Sequence, residues 1–382
     1  MDSFLSLSAL GDKLSEMPGH ASLPVTEHYI KTRARLAIEK AMTDNPDNEP
    51  AQIDAIAEIR RYFRGYGPVV EIVNTYIDGK IDVTETVRQI AEPIEHAYTT
   101  ADGGRLFVSE EKTARHQRKF WRSDKALEMW GPEEDIEELQ ARVTDPIDAP
   151  SVEGQLWDLY YTILHASKKI PWSDNDAQQK LVDLIAALKA RPNPPRPANM
   201  TTALKHHWIY FYGELWSDLV LLGPSARETW NDLPGCGAGW ETPEVSAWVN
   251  VNAFVARLTI QKVRNFALYG SWALREALDE KIEIYPDSHF SAPSKAYKAE
   301  VLFKVAAVWI RVAGRYMFDH LQPDSEGDKE SNPEFWTHPQ WYRWRRRFEE
   351  EGQKVQYNNE VTMIAKECAA AMAEISATPI MD

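Results

Sequence analysis

Apolar positions along this chain recur almost everywhere with the period of a helix and almost nowhere with the period of a strand. Residues 26–43 carry Tyr29, Leu36, Ile38 and Met42 on such a pattern, and the breaker DNPDNEP at 44–50 ends it. Residues 51–64 set Ile53, Ile56, Ile59 and Phe63 at i, i+3, i+6 and i+10, before Gly65, Gly67 and Pro68 interrupt. VVEIVNTYIDGK predicts a short helix closed by Gly79. Asp82 or Thr84 then offers an N-cap for the next helix, in which Pro93 predicts a kink. A charged helix carries Phe120, Trp121, Leu127, Met129 and Trp130. Helices follow over 152–168 and 174–190, then at 200–222, over 243–280 as two helices, at 293–320, and as a closing pair at 337–351 and 355–377. No alternating run exceeds four residues and no fixed-length repeat is visible. The pattern predicts an all-α fold, an irregular multi-helix orthogonal bundle without significant β-sheet.

Proline and acidic residues mark the connections. Residues 1–25 read as a loose lead, 133–150 and 321–334 as acidic, proline-containing surface segments, and RPNPPRP at 191–197 as an extended spacer. The spacer separates a helical half at 26–190 from an aromatic-rich half at 198–377, and the two are read as one continuous domain. Seven of the fourteen tryptophans lie in residues 200–320.

Charge narrows the partners. The 382 residues carry a formal net charge of −15, which repels phosphate backbones and anionic lipid surfaces and argues against nucleic-acid or membrane binding. Two cysteines, Cys236 and Cys368, are too few for a disulfide framework and point to a reducing compartment. With no apolar run of membrane-spanning length and no basic start to the N-terminus, the expected location is the cytoplasm.

One segment concentrates the candidate chemistry. On a helical wheel of residues 200–222, Leu204, Trp208, Phe211, Leu215, Leu219 and Leu222 form an apolar face, flanked by a polar stripe of His207, Tyr210, Glu214 and Asp218. The remaining arc, with Ile209, Gly213, Ser217 and Val220, is no solvent face, so the helix reads as central and buried. Buried charges need partners. The basic series Lys304, Arg311 and Arg315 could supply one, or could be the solvated face of an amphipathic helix with a Glu300–Lys304 pair. The stripe is either a satisfied structural network or the border of a ligand cavity. In the second case His207, Glu214 and Asp218 are the catalytic candidates. Tyr210, Trp208, Trp248, Asn252, Trp309, Arg311 and Arg315 are then the ligand-binding candidates. A core amide is the alternative role for Asn252. The arginine run at 343–347 reads as a surface neutralised by Glu349, Glu350 and Glu351.

The sequence contains no GxGxxG, GxxxxGK[ST], HExxH or GxSxG pattern and no aspartate-rich DDxxD motif. The His206-His207 pair lacks a third ligand at metal spacing, so neither a metal nor a cofactor is expected.

The blocks VNAFVARLTIQKVRNFALYGSWALREALDE at 251–280, FKVAAVWIRVAGRYMF at 303–318 and FWTHPQWYRWRRRFEEE, with the Ala-rich closing helix to Ile375, resemble the signature blocks of a large fungal family catalogued as a domain of unknown function. Residues 66–94 and 156–166 resemble its N-terminal blocks, and the likeness spans about 55–376. It departs at the N-terminal lead, the PGCGAGW turn and the 321–334 segment. The resemblance implies an all-helical intracellular fungal protein and carries over no catalytic residues. Two functions stay open. One is an aromatic-lined pocket for a hydrophobic small molecule, which either binds it or promotes cofactor-independent cyclisation, isomerisation or dehydration in fungal specialised metabolism. The other is a non-catalytic scaffold for protein partners, with a homodimer as a further alternative.

Overall fold

The computed structural model describes residues 23–100, 152–195, 213–280, 282, 293–321, 337–354 and 359–378, with side chains from residue 32 onward. Among these residues the chain is 74% helical, with twelve α-helices and no strand or sheet. The all-α expectation is met. In chain order the helices are α1 (Leu23–Asp44), α2 (Glu49–Arg60), α3 (Pro68–Ile77), α4 (Val83–Thr99), α5 (Val152–Lys168) and α6 (Asn175–Ala190). They continue with α7 (Leu222–Thr229), α8 (Thr242–Ile260), α9 (Ala267–Leu278), α10 (Lys295–Asp319), α11 (His338–Glu351) and α12 (Asn359–Ala377).

Local chemistry sets most of these bounds. Asn48, Asp82, Asp174, Ser294 and Thr337 each cap a helix by accepting a backbone N–H in its first turn. Gly79, at φ 73°, terminates the α3 turn in the left-handed conformation that glycine adopts without strain. α4 runs on through Pro93.

The centre of the molecule is α8, buried from Pro243 to Thr259 except at Ser246. It packs on α5, α10, α2, α6 and α9, while α10 is covered in turn by α12. One hydrophobic core runs from Val73 on α3 to Met372 on α12. Ile38, Ile56, Ala57, Tyr62 and Ala238 make a smaller cluster beside it. Two buried amides tie the centre together. Asn250 accepts from the Trp172 N–H (2.8 Å) and donates to the Lys168 carbonyl (2.9 Å). Asn252 accepts from the Trp309 indole N–H (2.8 Å) and donates to the Trp248 carbonyl (2.9 Å).

Three sequence expectations change. The 200–222 helix does not continue through its described part, because residues 213–221 form consecutive turns with Leu219 and Leu221 at positive φ (47° and 73°). Its backbone donors are claimed from outside, since Asn193 Oδ1 takes the N–H groups of Trp216 (2.8 Å) and Ser217 (3.2 Å). The central buried helix is therefore α8. The second helix stops at Arg60, not 64: Arg61 turns left-handed at φ 59° and the Tyr62 N–H returns to the Ala57 carbonyl (3.0 Å). Phe63 thereby leaves the helical pattern. The charged helix around Trp121, the 133–150 segment, the lead to residue 22 and nearly all of 321–334 lie outside the described residues.

Candidate functional site

The end of α2 is held to the core by two buried acid–base knots. Glu244, 2% exposed, collects Arg60 Nε (2.9 Å), Tyr62 Oη (2.9 Å) and the Gly239 N–H (2.8 Å) on one carboxylate oxygen. Its other oxygen accepts the Glu241 N–H (3.2 Å), which closes the capping box at the start of α8. Asp232 accepts Lys168 Nζ (2.7 Å) and the Phe63 N–H (3.2 Å) on the same oxygen. Burial pushes the Asp232 carboxyl above its usual range, against the pull of Lys168. The Lys168 ammonium also lies 4.8 Å from the centre of the Tyr62 ring. These knots fix the turn after Arg61 and set Phe63 beside α5.

There Phe63 meets Tyr161 at 5.3 Å between ring centres, and Tyr161 stacks on Trp157 at 5.2 Å, one helical turn away. The three half-buried rings form one wall of a cleft of about 840 Å³. The remaining lining comes from the 218–221 turns, from Gly223, Pro224, Arg227 and Glu228 of α7, and from Arg264. A second clamp places those turns. Arg191 binds Glu95 through both oxygens (2.5 and 2.8 Å), and Glu95 accepts the Trp216 indole N–H (2.8 Å). The carboxyl of Glu95, desolvated by burial yet outweighed by its Arg191 and Trp216 hydrogen bonds, sits below its ordinary range. Asn193, two residues beyond Arg191, then captures the Trp216 and Ser217 amides.

The cleft is apolar with a polar rim. The Tyr161 hydroxyl is pushed well above its ordinary range by burial and by Glu228 and Asp232, so it is a neutral donor. Behind the rim lies an aromatic stack, Trp230 on Tyr269 at 4.1 Å and edge-on to Trp248 at 4.9 Å. Burial raises the Tyr269 hydroxyl to about 12, opposed by Arg227 and Arg264. Glu228 accepts from Asn231 Nδ2 (3.0 Å), and Asp218 accepts the Glu214 N–H (2.6 Å).

A separate knot lies between α2 and α5. Asp54 accepts His165 Nε2 (2.8 Å) and Lys169 Nζ (3.1 Å). Burial lowers the His165 pKa to about 4, with Lys168 and Lys169 acting in the same direction and Asp54 opposing. The imidazole is neutral, and its Nδ1 is buried with no partner among the described residues.

Of the catalytic and ligand-binding candidates that fall among the described residues, only Asp218 lines the cleft. It is exposed, whereas the wheel had placed it in the interior. His207, Trp208 and Tyr210 lie outside the described residues, and Glu214 is half-buried beside the turns. Trp248, Asn252 and Trp309 are core. Neither arginine of α10 reaches the 214–218 turns: Arg311 pairs with Glu367 and lies 5.6 Å from the Trp172 ring centre, and Arg315 pairs with Asp319 (2.5 Å). The Glu300–Lys304 pair forms as expected (2.7 Å), and Arg345 and Arg346 pair with Glu349 and Glu350. Sequence reasoning missed Phe63, Arg227, Glu228 and Arg264 as site residues. The available signal was the i, i+4 aromatic pair Trp157 and Tyr161, too common by itself to mark a cleft.

Among the described residues there is no cluster of His, Cys, Asp and Glu suited to a metal, and no helix long and apolar enough to cross a membrane. No curated protein and no solved structure matches the chain. One family does match, beginning inside α5 and ending in α11, so that it takes in α6 to α10 and all of the cleft lining except Phe63 and Trp157. Residues 160–348 match the family described as "Protein of unknown function (DUF3632)".

Proposed function

We propose that this protein binds a hydrophobic small molecule in the cleft walled by Phe63, Trp157 and Tyr161. The supporting observation is the cleft itself, about 840 Å³ with Tyr161 in contact with both Phe63 and Trp157 on one wall. Such a volume suits a metabolite-sized ligand, and ring faces stack on a flat apolar body without demanding one exact shape. The buried knots at Glu244 and Asp232 hold the wall in place before a ligand arrives, which limits the ordering cost of binding.

In this reading the protein works in the cytoplasm, in fungal specialised metabolism. Binding is the core of the proposal. Turnover, by cyclisation, isomerisation or dehydration, would draw on the Tyr161 hydroxyl and the rim carboxylates Glu228 and Asp218 as proton-handling groups.

The test is equilibrium binding of the neutral fluorophore N-phenylnaphthylamine to the full chain. Saturable binding that weakens at least about tenfold in Tyr161→Ser and Trp157→Ser supports the cleft reading, since each change removes one stacking face. Binding indifferent to both changes overturns it. Capture of a protein partner with no small-molecule binding would favour the scaffold reading.

A further inference from the structure

Resting on that reading, the rim of the cleft carries a charge pattern that specifies the ligand further. Arginines in this acid-rich chain are mostly neutralised. Arg35, Arg60, Arg88, Arg191, Arg311, Arg315 and Arg343 all ion-pair, on five different helices and in the spacer after α6. Arg227 and Arg264 do not, and unlike Arg61, Arg257, Arg275 and Arg347, which also lack an ion pair among the described residues, they share one cleft. Both line the cleft, and among the described residues neither has a carboxylate within ion-pairing distance. Arg227 makes one long bond to Asn231 Oδ1 (3.3 Å), and Arg264 spends Nη1 on the Asp218 carbonyl (3.0 Å). Most of their ten N–H donors are left over.

The two acids of the lining do not absorb this charge. Asp218 is turned back to its own turn through the Glu214 amide, and Glu228 is engaged by Asn231. Arg264, on the α8–α9 turn, reaches the start of α7, where a Cβ on Gly223 would stand 3.1 Å from its Nη2, and both guanidinium groups oppose the rise of the Tyr269 hydroxyl caused by burial. The start of α7 adds to the same sign. Leu221, at its N-cap, has no side-chain acceptor, and Leu221, Gly223 and Pro224 all line the cleft, so the positive end of the helix lies at its edge.

We infer that the ligand is a flat apolar acid, an aromatic carboxylate whose body stacks on Tyr161 and Trp157 and whose oxyanion is held by Arg227 and Arg264. Planar guanidinium forks match a carboxylate in two-point contact, and the aromatic wall beside them supplies the apolar partner. The cleft thus prefers the acid to its neutral analogue, which leaves both guanidinium groups without an anion to bind.

Anilinonaphthalene sulfonate and N-phenylnaphthylamine share one skeleton with and without an oxyanion, so their affinities separate the two contributions. The full chain should prefer the sulfonate by about tenfold or more, the range expected for charge-assisted bonds. Arg227→Gln and Arg264→Gln should each bring the ratio of sulfonate to N-phenylnaphthylamine affinity most of the way down to one. Naphthoate should displace the sulfonate where naphthamide does not. Equal affinity for the two fluorophores, with binding still dependent on Tyr161, overturns the acid-specific inference and leaves the cleft reading standing. Binding of neither fluorophore that depends on Tyr161 or Trp157 overturns both. Arg227 is exposed and makes a single weak bond, so its variant tests the inference even if Arg264→Gln disturbs the 218–221 turns.

Discussion

Lys168 donates to Asp232 at 2.7 Å inside the protein, and the same carboxylate oxygen takes the Phe63 N–H that turns the Phe63 ring toward Tyr161. A buried ion pair and a wall of the cleft are therefore one construction. Two desolvated charges contribute little net stability when both are present, but either one alone is costly.

Asp232→Asn should accordingly destabilise the fold by about 3–5 kcal/mol, because Lys168 keeps its charge at 1% exposure with no counter-ion. Lys168→Met combined with Asp232→Asn should cost clearly less than the two single changes summed. Urea unfolding of the three variants makes a double-mutant cycle. Additive losses would show that the two side chains are not coupled.

The neutral imidazole of His165 gives a pH dependence with a definite sign. Burial, helped by Lys168 and Lys169 and opposed by Asp54, takes its pKa from the ordinary 6.5 to about 4. The unfolded chain therefore binds a proton that the folded chain refuses. Stability from this group is complete above about pH 6.5 and is lost as pH falls toward about 4, by about 3 kcal/mol at most. Asp54, with its pKa lowered by His165 and Lys169 in spite of burial, adds a further loss only below its unfolded value of 3.8. Denaturant melts between pH 7.5 and 4.5 should fall steeply for the wild type and more shallowly for His165→Gln. Parallel curves would remove His165 from the account.

Much of this fold was legible because most helices carry their own instructions. The bounds of α5, α6, α10 and α11 follow from caps and from stripes of apolar residues internal to each segment. Asn252 was readable as a core amide because it shares a face with Trp248 and Val255. The 200–222 region was not legible for a physical reason. Its Leu215, Leu219 and Leu222 spacing fits a helix face, and it also fits the compact turns that bury the same residues. What decides between them is Asn193, more than twenty residues upstream in the proline-rich spacer. The cleft was hidden for the same kind of reason, since Phe63, Trp157 and Arg264 meet only through tertiary structure. The catalytic candidates were placed on one helix, whereas the cleft is assembled from α5, α7 and three connections.

Trp309 is a tight test of the central packing. It is fully buried, its indole N–H has Asn252 Oδ1 as acceptor, and the face of its six-membered ring lies against Gly270. A Cβ at residue 270 would stand 2.7 Å from Trp309 Cε3, so Gly270→Ala forces α9 away from α10. A loss of about 1–3 kcal/mol is expected. Asn252→Leu should cost a similar amount by stranding the indole N–H. Thermal melts that match the wild type for both would show that α9 and α10 are not in this close contact.

The last prediction sets two residues of the 213–221 turns against each other. Asp218 is exposed and its carboxylate serves one local amide, so Asp218→Asn should change stability by less than about 1 kcal/mol. Asn193→Ala removes the acceptor of two amides, Trp216 and Ser217, and the donor to Ser217 Oγ (3.0 Å). It should cost about 1–3 kcal/mol and loosen the turns that line the cleft. Binding of N-phenylnaphthylamine should therefore weaken in Asn193→Ala and stay unchanged in Asp218→Asn. The two variants would rank the other way if 200–222 were one continuous buried helix, because Asp218 would then be an interior charge and Asn193 would be a spacer residue with no contact to it.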